Sequence, residues 1–358
     1  MKAAVYRKFG GPEVVKIEEI PKPQPKNDEV LIRVCASTIS IADHRVRSRD
    51  LPKGFGFFGP LALGVFGPRK KVLGMDVAGV VEAVGKNVPN FNPGDEVIAE
   101  TGVKFGCHAE YVCIPAKGAI TLKPENMSFE EAVTLVFGGT TALEFLNRIT
   151  IKTGDQILVN GASGAVGTAA IQLAKHFGAV VTGVCSGGNS ELVRSLGADH
   201  VIDYTKEDFT KNGKSYDAIV ECVGNAPFVR VNNSINPGGA LLLVIADLNG
   251  MIWASRHSKK SGKLVTARDW KPSAEGLAYL VKLAEEGAYC AVIDRVYQFG
   301  EIVEAHGYVD AGRKKGNVVV RIDEDTSAGS VARSQALTTS PQTTSMGSVF
   351  NPAQAIPK

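Results

Sequence analysis

The sequence predicts an α/β protein in which a β-rich N-terminal part precedes a doubly wound parallel sheet. Three observations lead to this fold class. Short β-type segments alternate with Pro and Gly turns up to about residue 125, and strand and helix patterns alternate from residue 156 onward. A glycine-rich turn joins the first of these later strands to a helix.

The N-terminal part contains predicted strands at 29–35, 78–84 and 95–99. The pattern changes at Ser128 and Glu131, which form a capping-box sequence and predict the start of a helix. The later strands are predicted at 156–160, 180–185, 201–203, 218–222, 240–245, 295–299 and 317–322, and the later helices at 165–177, 191–196, 274–286 and 301–311.

Composition sets the protein class. The chain has 358 residues, 44% of them hydrophobic and 22% charged, which suits a globular protein of about two domains. Forty Lys and Arg against thirty-seven Asp and Glu leave a charge of +3, so no nucleic-acid partner is expected. After residue 325 the composition turns to Ser, Thr, Ala, Gln and Pro, which predicts a disordered tail over 324–358.

The cysteines and the apolar segments indicate the cellular compartment of the protein. Six scattered cysteines without a Cys-x-x-Cys pair favour a reducing compartment, and no signal peptide is evident, so a cytoplasmic protein is expected. The longest apolar stretch, 55–67, is too short and too rich in Gly and Pro to span a membrane. It is predicted to be a loop, either a surface or subunit contact or the wall of an apolar pocket.

The glycine-rich turn is the most informative segment. Gly161 allows a tight turn, Gly164 allows backbone N–H groups to approach a pyrophosphate, and Gly167 permits close packing of helix and sheet. The start of the following helix supplies unpaired donors for phosphates. The whole turn, including Ser163, Ala165 and Val166, is therefore assigned to a dinucleotide, with a plain glycine-rich βα turn as the alternative.

The second parallel strand indicates which dinucleotide binds. It ends at Cys185 and Ser186, and no acidic residue follows before Glu191 to bond the adenosine ribose. NADPH is therefore favoured over NADH. The candidate donors to its 2′-phosphate are Ser186, Asn189 and Tyr204.

These features, with several further motifs in order, resemble the medium-chain dehydrogenase/reductase superfamily. They resemble in particular its zinc-independent quinone oxidoreductase (zeta-crystallin-like) and enone or alkenal reductase branch. The motifs are Leu73-Gly74-Met75-Asp76, Pro93-Gly94-Asp95, Ala109-Glu110-Tyr111 and Ser195-Leu196-Gly197-Ala198-Asp199.

The resemblance implies a domain organisation. It implies a GroES-like catalytic domain formed by 1–125 and 290–323, and a Rossmann NADP-binding domain over 126–289. NADPH and the substrate would meet in a cleft between them. It also implies a homodimer.

The resemblance also implies that zinc is absent. Zinc-containing members have Gly-His-Glu where this chain has Gly74-Met75-Asp76, and a catalytic Cys where it has Ser40. A thioether and a hydroxyl do not replace imidazole and thiolate as zinc ligands. Without that Lewis acid, the expected reaction is hydride transfer to an acceptor that is already electrophilic, namely a quinone or an α,β-unsaturated carbonyl.

Residue roles are carried over position by position. Arg45 is the candidate electrophilic donor, Ser40 a contact of nicotinamide or substrate, and Thr141 a contact of the nicotinamide ribose or phosphate, with a helix cap as its alternative. The segments after later strands would line the cofactor: Cys222 and Gly224 near adenosine, Ile245 near nicotinamide, and Asn317 near the phosphates.

Two other functions stay open. One is an enoyl-thioester reductase, for which Arg69, Lys70 and Lys71 are candidate contacts of a carrier phosphate. The other is a crystallin-like protein that binds the nucleotide without turnover.

Overall fold

The computed structural model describes residues 1–56, 59–267 and 271–323. The predicted tail over 324–358 lies outside these ranges. No helix among the described residues is long and apolar enough to cross a membrane.

The N-terminal part forms an antiparallel sheet, as its β-type segments predict. A separate pair, β1 (Lys2–Tyr6) and β2 (Val15–Glu19), precedes it. The sheet strands described here are β3 (Glu29–Ile39), β4 (Asp76–Val84), β5 (Glu96–Glu100), β6 (Tyr111–Pro115) and β7 (Ala119–Leu122). Strand β3 pairs with both β4 and β6, and so lies inside the sheet.

Two short helices interrupt this β-rich part. Helix α1 (Ile41–Ser48) follows β3 directly and was not predicted. The prediction of a loop over 55–67 was wrong in part, because α2 (Gly59–Leu63) lies inside it. Pro60 suits the first turn of a helix, since its φ is already fixed there and its missing N–H is not needed. Phe57 and Phe58 of that segment lie outside the described residues.

The six strands of the second sheet are all parallel in the described chain. They are β8 (Gln156–Asn160), β9 (Val180–Cys185), β10 (His200–Asp203), β11 (Tyr216–Glu221), β12 (Ile235–Leu243) and β13 (Leu264–Thr266), in the spatial order β10-β9-β8-β11-β12-β13. From β8 the chain adds β9 and β10 on one side and then returns to add β11, β12 and β13 on the other side. The order in which strands are added therefore reverses between β8 and β11. Such a reversal opens a crevice at the carboxyl ends of the strands, where ligands bind.

The helices of this part are α3 (Phe129–Val133), α4 (Thr140–Leu146), α5 (Ala165–His176), α6 (Ser190–Ser195), α7 (Phe228–Val231), α8 (Leu248–Ser261) and α9 (Ala274–Glu285). The predicted capping box is confirmed: Ser128 Oγ accepts from Glu131 N at 3.2 Å, and Ser128 N donates to Glu131 Oε2 at 2.9 Å. Helix α8 was not predicted.

The last elements return to the N-terminal sheet. Strand β14 (Ile293–Gln298), helix α10 (Ile302–Asp310) and strand β15 (Asn317–Arg321) follow α9. Strand β15 pairs antiparallel with β3, with Val318 opposite Ile39, and β14 pairs with β15. The predicted discontinuous domain requires this pairing, while its boundaries stay a prediction.

A buried ion pair joins α1 to α10. The Arg47 side chain is 0% exposed and donates to both carboxylate oxygens of Asp310 at 2.7 and 2.6 Å. His44 Nδ1 lies 2.7 Å from the same carboxylate. The pair fixes the position of α1 because a buried guanidinium is stable only beside a counter-charge.

We expect Asp310→Ala to lower the free energy of unfolding by about 3 kcal/mol, because it leaves the Arg47 charge buried and unpaired. Glu82→Ala, which breaks the surface pair of Lys22 and Glu82, is the control and should cost less than about 1 kcal/mol. Urea denaturation measures both. Equal losses in the two variants would show that the Arg47 pair stabilises no more than a surface contact.

Candidate functional site

One cavity of about 1860 Å³ lies at the carboxyl ends of the parallel strands and reaches the N-terminal sheet. Fifteen of the sixteen predicted site residues line it: Ser40, Arg45, Thr141, Gly161, Ser163, Gly164, Ala165, Val166, Gly167, Ser186, Asn189, Tyr204, Cys222, Ile245 and Asn317. Gly224 does not line it, but its neighbours Val223 and Asn225 do. The structure thus brings these residues together, and their individual roles stay predictions.

The glycine loop has the backbone geometry that a dinucleotide needs. Gly161 has a φ of +84°, where side chains are disfavoured. A Cβ on Gly167 would lie 2.1 Å from the Gly161 carbonyl oxygen, so α5 packs too closely for any other residue there. Gly164 caps α5 without a side-chain bond, which leaves the first N–H groups of the helix for an anion.

Three contacts hold this loop in place. Ala162 N donates to Val184 O of β9 at 3.0 Å. Asn189 Nδ2 donates to Ser163 Oγ at 3.0 Å, which links the loop to the turn after β9. Gly316 N, just before β15, donates to Ser163 O at 2.8 Å. The last contact joins the returning C-terminal segment to the loop.

The loop after β11 depends on Glu221, which the sequence analysis did not identify. Its side chain is 0% exposed and accepts from the backbone N–H groups of Val223 at 2.6 Å, Gly224 at 2.9 Å and Ala226 at 2.7 Å. Asn160 Nδ2 donates to it at 3.2 Å. Glu221 therefore fixes the backbone of the loop that contains the predicted adenosine contacts.

The turn after β9 carries the predicted 2′-phosphate donors. Tyr204 is 63% exposed, and its backbone N–H donates to Cys185 O at 3.1 Å, which places it beside Ser186. An acidic side chain does approach this turn, but it comes from β10. Asp203 Oδ2 lies so near Gly187 that a Cβ added to that glycine would be only 2.6 Å from it. Bonds from Thr205 lower the pKa of Asp203, so this carboxylate is ionised and already partnered.

Ser40 and Arg45 lie at the start of α1. Ser40 caps the helix and donates its hydroxyl to Asp43 Oδ2 at 2.7 Å, while Asp43 Oδ1 accepts from Gly74 N at 2.8 Å. Arg45 makes no hydrogen bond or ion pair within the described ranges, and burial lowers the pKa of its guanidinium. Arg45 is therefore a free donor in the cavity, whereas the Ser40 hydroxyl is already engaged.

Thr141 fits a ligand contact better than a helix cap. It lies in the second position of α4, where its buried hydroxyl has no partner among the described residues, and a buried polar group needs one. The neighbouring Thr140 donates to Glu100 Oε2 at 2.9 Å. The free hydroxyl of Thr141 is consistent with a cofactor contact.

The residues at the zinc position of the superfamily do not suit zinc. Met75 is buried, and the Ser40 hydroxyl is held by Asp43. Across the described ranges, no three His, Cys, Asp or Glu side chains converge on a point that would hold a metal. A thioether and an engaged hydroxyl do not make a zinc site.

Two buried carboxyls lie side by side behind this position. Asp76 of β4 and Glu100 of β5 are paired in the strand register. Burial raises the pKa of Asp76 to about 7, against bonds from Thr38, and raises that of Glu100 well above its usual range. Burial therefore disfavours the charged form of both carboxyls, and neither residue lines the cavity.

Lys314 is a second residue that the sequence analysis missed. It lines the cavity, and its Nζ donates to Gly316 O at 2.6 Å, next to the glycine loop. Burial lowers the pKa of this amine to about 8. Nothing in the local sequence separates Lys314 from its basic neighbours, because its position comes from the return of β15.

The described part of the apolar segment over 55–67 has one side at the cavity and one side at the surface. Ala62 and Leu63 line the cavity, while Leu61, Val65 and Phe66 are exposed. The pocket-wall interpretation is confirmed for the first two residues.

Comparison with known proteins gives two family matches. Residues 26–124 match the alcohol dehydrogenase GroES-like domain, and residues 196–320 match the family described as zinc-binding dehydrogenase. The chain is 34% identical to 2-methylene-furan-3-one reductase of Solanum lycopersicum, over 89% of this chain and 79% of that protein. It is also 34% identical to the chloroplastic NADPH-dependent alkenal/one oxidoreductase of Arabidopsis thaliana, with the same coverage.

A solved structure is similar throughout. The quinone oxidoreductase from Coxiella burnetii superimposes with a TM-score of 0.78 at 31% identity, over 90% of this chain and 99% of that one. The likeness in fold therefore extends over both sheets.

We expect Gly167→Ala to weaken dinucleotide binding by about tenfold or more, because its Cβ would push α5 away from the Gly161 carbonyl. Gly188→Ala, in the neighbouring turn, is the control, since a Cβ there meets nothing within 4 Å. Nucleotide titration followed by fluorescence measures both dissociation constants. Unchanged binding in Gly167→Ala would refute the assignment of the loop.

Proposed function

This chain belongs to the medium-chain dehydrogenase/reductase superfamily, among the NAD(P)H oxidoreductases that include quinone oxidoreductases and alkenal/one reductases, and we propose that it reduces a quinone or an α,β-unsaturated carbonyl with NADPH, without zinc. One observation carries this proposal. The same cavity joins the glycine loop to Arg45, whose guanidinium makes no hydrogen bond or ion pair in the described chain, although the charge of Asp50 acts on it.

The residues present fit a dinucleotide. Its diphosphate would lie at the glycine loop, against the free N–H groups of α5. The adenosine would lie against the loop that Glu221 holds, and the nicotinamide near Thr141 and Ile245. When bound, NADPH supplies a hydride from its nicotinamide ring.

The part of the cavity lined by N-terminal residues, from Tyr6 to Phe105, is here called the acceptor end. Its apolar side chains, among them Leu51, Leu63 and Phe105, exclude water and hold the acceptor carbon close to the cofactor. An α,β-unsaturated carbonyl gains the hydride, with its two electrons, at the β-carbon and a proton from water at the α-carbon. Arg45 donates to the carbonyl oxygen while negative charge develops on it.

The proposal of zinc-free chemistry rests on the donor set. The superfamily includes members that bind zinc, and one family match carries that description. Ser40 and Met75 stand where those members have Cys and His, and their side chains do not suit the metal. An acceptor that is already electrophilic needs no Lewis acid to receive a hydride.

The preference for NADPH over NADH rests on the turn after β9. Ser186 offers a hydroxyl that has no side-chain bond in the described chain, and Tyr204 lies beside it. Asp203 approaches from β10 and opposes a 2′-phosphate, but Thr205 already bonds its carboxylate. The preference for NADPH therefore depends on a contact between Ser186 and the 2′-phosphate.

The homodimeric state and the cytoplasmic location stay predictions. Relatives include chloroplastic and mitochondrial proteins, so compartment varies among them.

The function is tested by mixing the purified protein with NADPH and, separately, 9,10-phenanthrenequinone, a 2-alkenal and a crotonyl thioester. We expect the absorbance at 340 nm to fall with the quinone or the alkenal. Faster reduction of the thioester would indicate an enoyl-thioester reductase instead. Tight NADPH binding without oxidation by any acceptor would refute an enzymatic role.

We expect Ser186→Asp to shift the ratio of kcat/KM for NADPH to that for NADH at least about tenfold towards NADH, because a carboxylate repels the 2′-phosphate. Ser190→Asp is the control, since it adds the same charge four residues later without lining the cavity. Steady-state kinetics with each nucleotide measures the ratio. An equal shift in both variants would argue against direct contact by Ser186.

A further inference from the structure

Positive charge is concentrated in one segment of the chain. Residues 41–71 contain seven Lys and Arg against two Asp, a net charge of +5. The rest of the chain has thirty-three Lys and Arg against thirty-five Asp and Glu, a net charge of −2. The excess positive charge of the protein therefore comes from this segment.

Part of that charge is already neutralised. Arg47 is paired with Asp310, while Asp43 bonds Ser40 and Gly74 within the chain. Three cations of the segment line the cavity: Arg45, Arg69 and Lys70. Arg69 and Lys70 are exposed at its rim, and neither makes an ion pair within the described ranges.

The three cations lie on the same side of the cavity. Arg69 N donates to Leu63 O at 2.9 Å, and Lys71 O accepts from Tyr6 N at 2.9 Å, so this stretch runs beside β1. Tyr6 lines the cavity; burial raises its pKa to about 12, with smaller effects of the charges of Asp43 and Arg47 on α1, the helix that carries Arg45. Arg69 and Lys70 therefore belong to the acceptor end.

No acid offsets these cations in the described lining of the acceptor end. The acids that line the cavity, Glu207 and Asp208, follow β10 near the predicted adenosine contacts. Asp208 is paired there with Arg230 at 3.2 Å. The rest of the lining also contains Arg230, Arg313 and Lys314 and so mixes both signs, whereas the charged side chains that line the acceptor end are all cations.

We infer that the physiological acceptor carries an anionic group, a carboxylate or a phosphate, which Arg69 and Lys70 bind at the rim while its reactive double bond lies beside Arg45. A cleft lined by charges of one sign raises the rate at which ligands of the opposite sign bind. This inference rests on the proposed function. The carboxylate would belong to a small unsaturated oxo acid, and the phosphate to the carrier of a thioester.

The cofactor is also an anion, but most of its predicted contacts come from the other wall; Asn317 of β15, predicted near the phosphates, is an exception. The glycine loop, the turn after β9 and the loop after β11 all belong to the parallel sheet. Arg69 and Lys70 come from the N-terminal part. Their removal should therefore change the choice of acceptor and leave the dissociation constant of NADPH unchanged.

The experiment compares 4-oxopent-2-enoate with its methyl ester, which has the same reactive enone without the charge. Lys70→Glu is compared with Lys71→Glu, a matched control. Lys71 is also exposed, but, unlike the other two predicted contacts of a carrier phosphate, it does not line the cavity. Its charge acts on Glu18 of β2. A second arm compares crotonyl-coenzyme A with the crotonyl thioester of N-acetylcysteamine, which lacks phosphate.

We expect Lys70→Glu to lower the acid-to-ester ratio of kcat/KM about tenfold, and Lys71→Glu to change it less than about twofold. Raising the ionic strength from about 0.02 M to about 0.3 M should lower the same ratio in the unmodified protein. A larger effect of Lys70→Glu on the coenzyme A pair than on the oxo acid pair would identify the anion as a carrier phosphate.

Two results with the variants would overturn the inference directly. One is an unchanged ratio in Lys70→Glu for both pairs, and the other is an equal effect of Lys71→Glu. Weaker NADPH binding in Lys70→Glu that accounts for the whole change would assign the cation to the cofactor instead. If no acceptor is reduced at all, the proposed function fails, whereas reduction of the neutral acceptors without charge preference refutes this inference alone.

Discussion

The close approach of α5 to the end of β8 is the contact on which the rest of the site depends. Gly167 packs so tightly on the Gly161 carbonyl that a single methyl group would separate helix from strand. This packing points the first N–H groups of α5 into the crevice between β8 and β11. Ser163 of the same loop bonds both Asn189 and Gly316, so one short turn aligns the parallel sheet with the returning C-terminal segment.

The parallel strands could be predicted closely because both of their faces are buried. Their sequences are continuous apolar segments with glycine turns at each end, and β8 and β9 have the predicted bounds. Strand β12 begins five residues earlier than predicted, because Pro237 and two glycines look like a turn. They form an irregularity inside the strand, where the pairing with β11 jumps from Ile235 to Ala240. Helix α8 escaped prediction because Met251, Ile252 and Trp253 are consecutive and exposed, so no apolar stripe marks it.

The residues of the site also differ in how far the sequence could predict them. The glycine loop is local, so seven adjacent residues contain its whole signal. Glu221, Lys314 and the pair of Asp76 and Glu100 act through contacts between distant segments, and a single sequence does not contain those distances. The cations of the acceptor end could be predicted in part. The sequence shows the basic residues of 41–71, but only the fold shows that Lys70 lines the cavity and Lys71 does not.

The pairing of β15 with β3 has a consequence for biosynthesis. Val318 and Ile39 are opposite one another but 279 positions apart, from 318 less 39. Ile39 directly precedes α1, and Asp310, the partner of Arg47, belongs to the same late segment. During translation the parallel sheet can fold once β13 and α9, which supplies part of its core, have left the ribosome, whereas this half of β3 stays an unpaired edge until nearly the whole folded part has been made. The nucleotide half of the enzyme therefore matures first, and a nascent chain stalled before Asp310 would contain the glycine loop without a properly held Arg45.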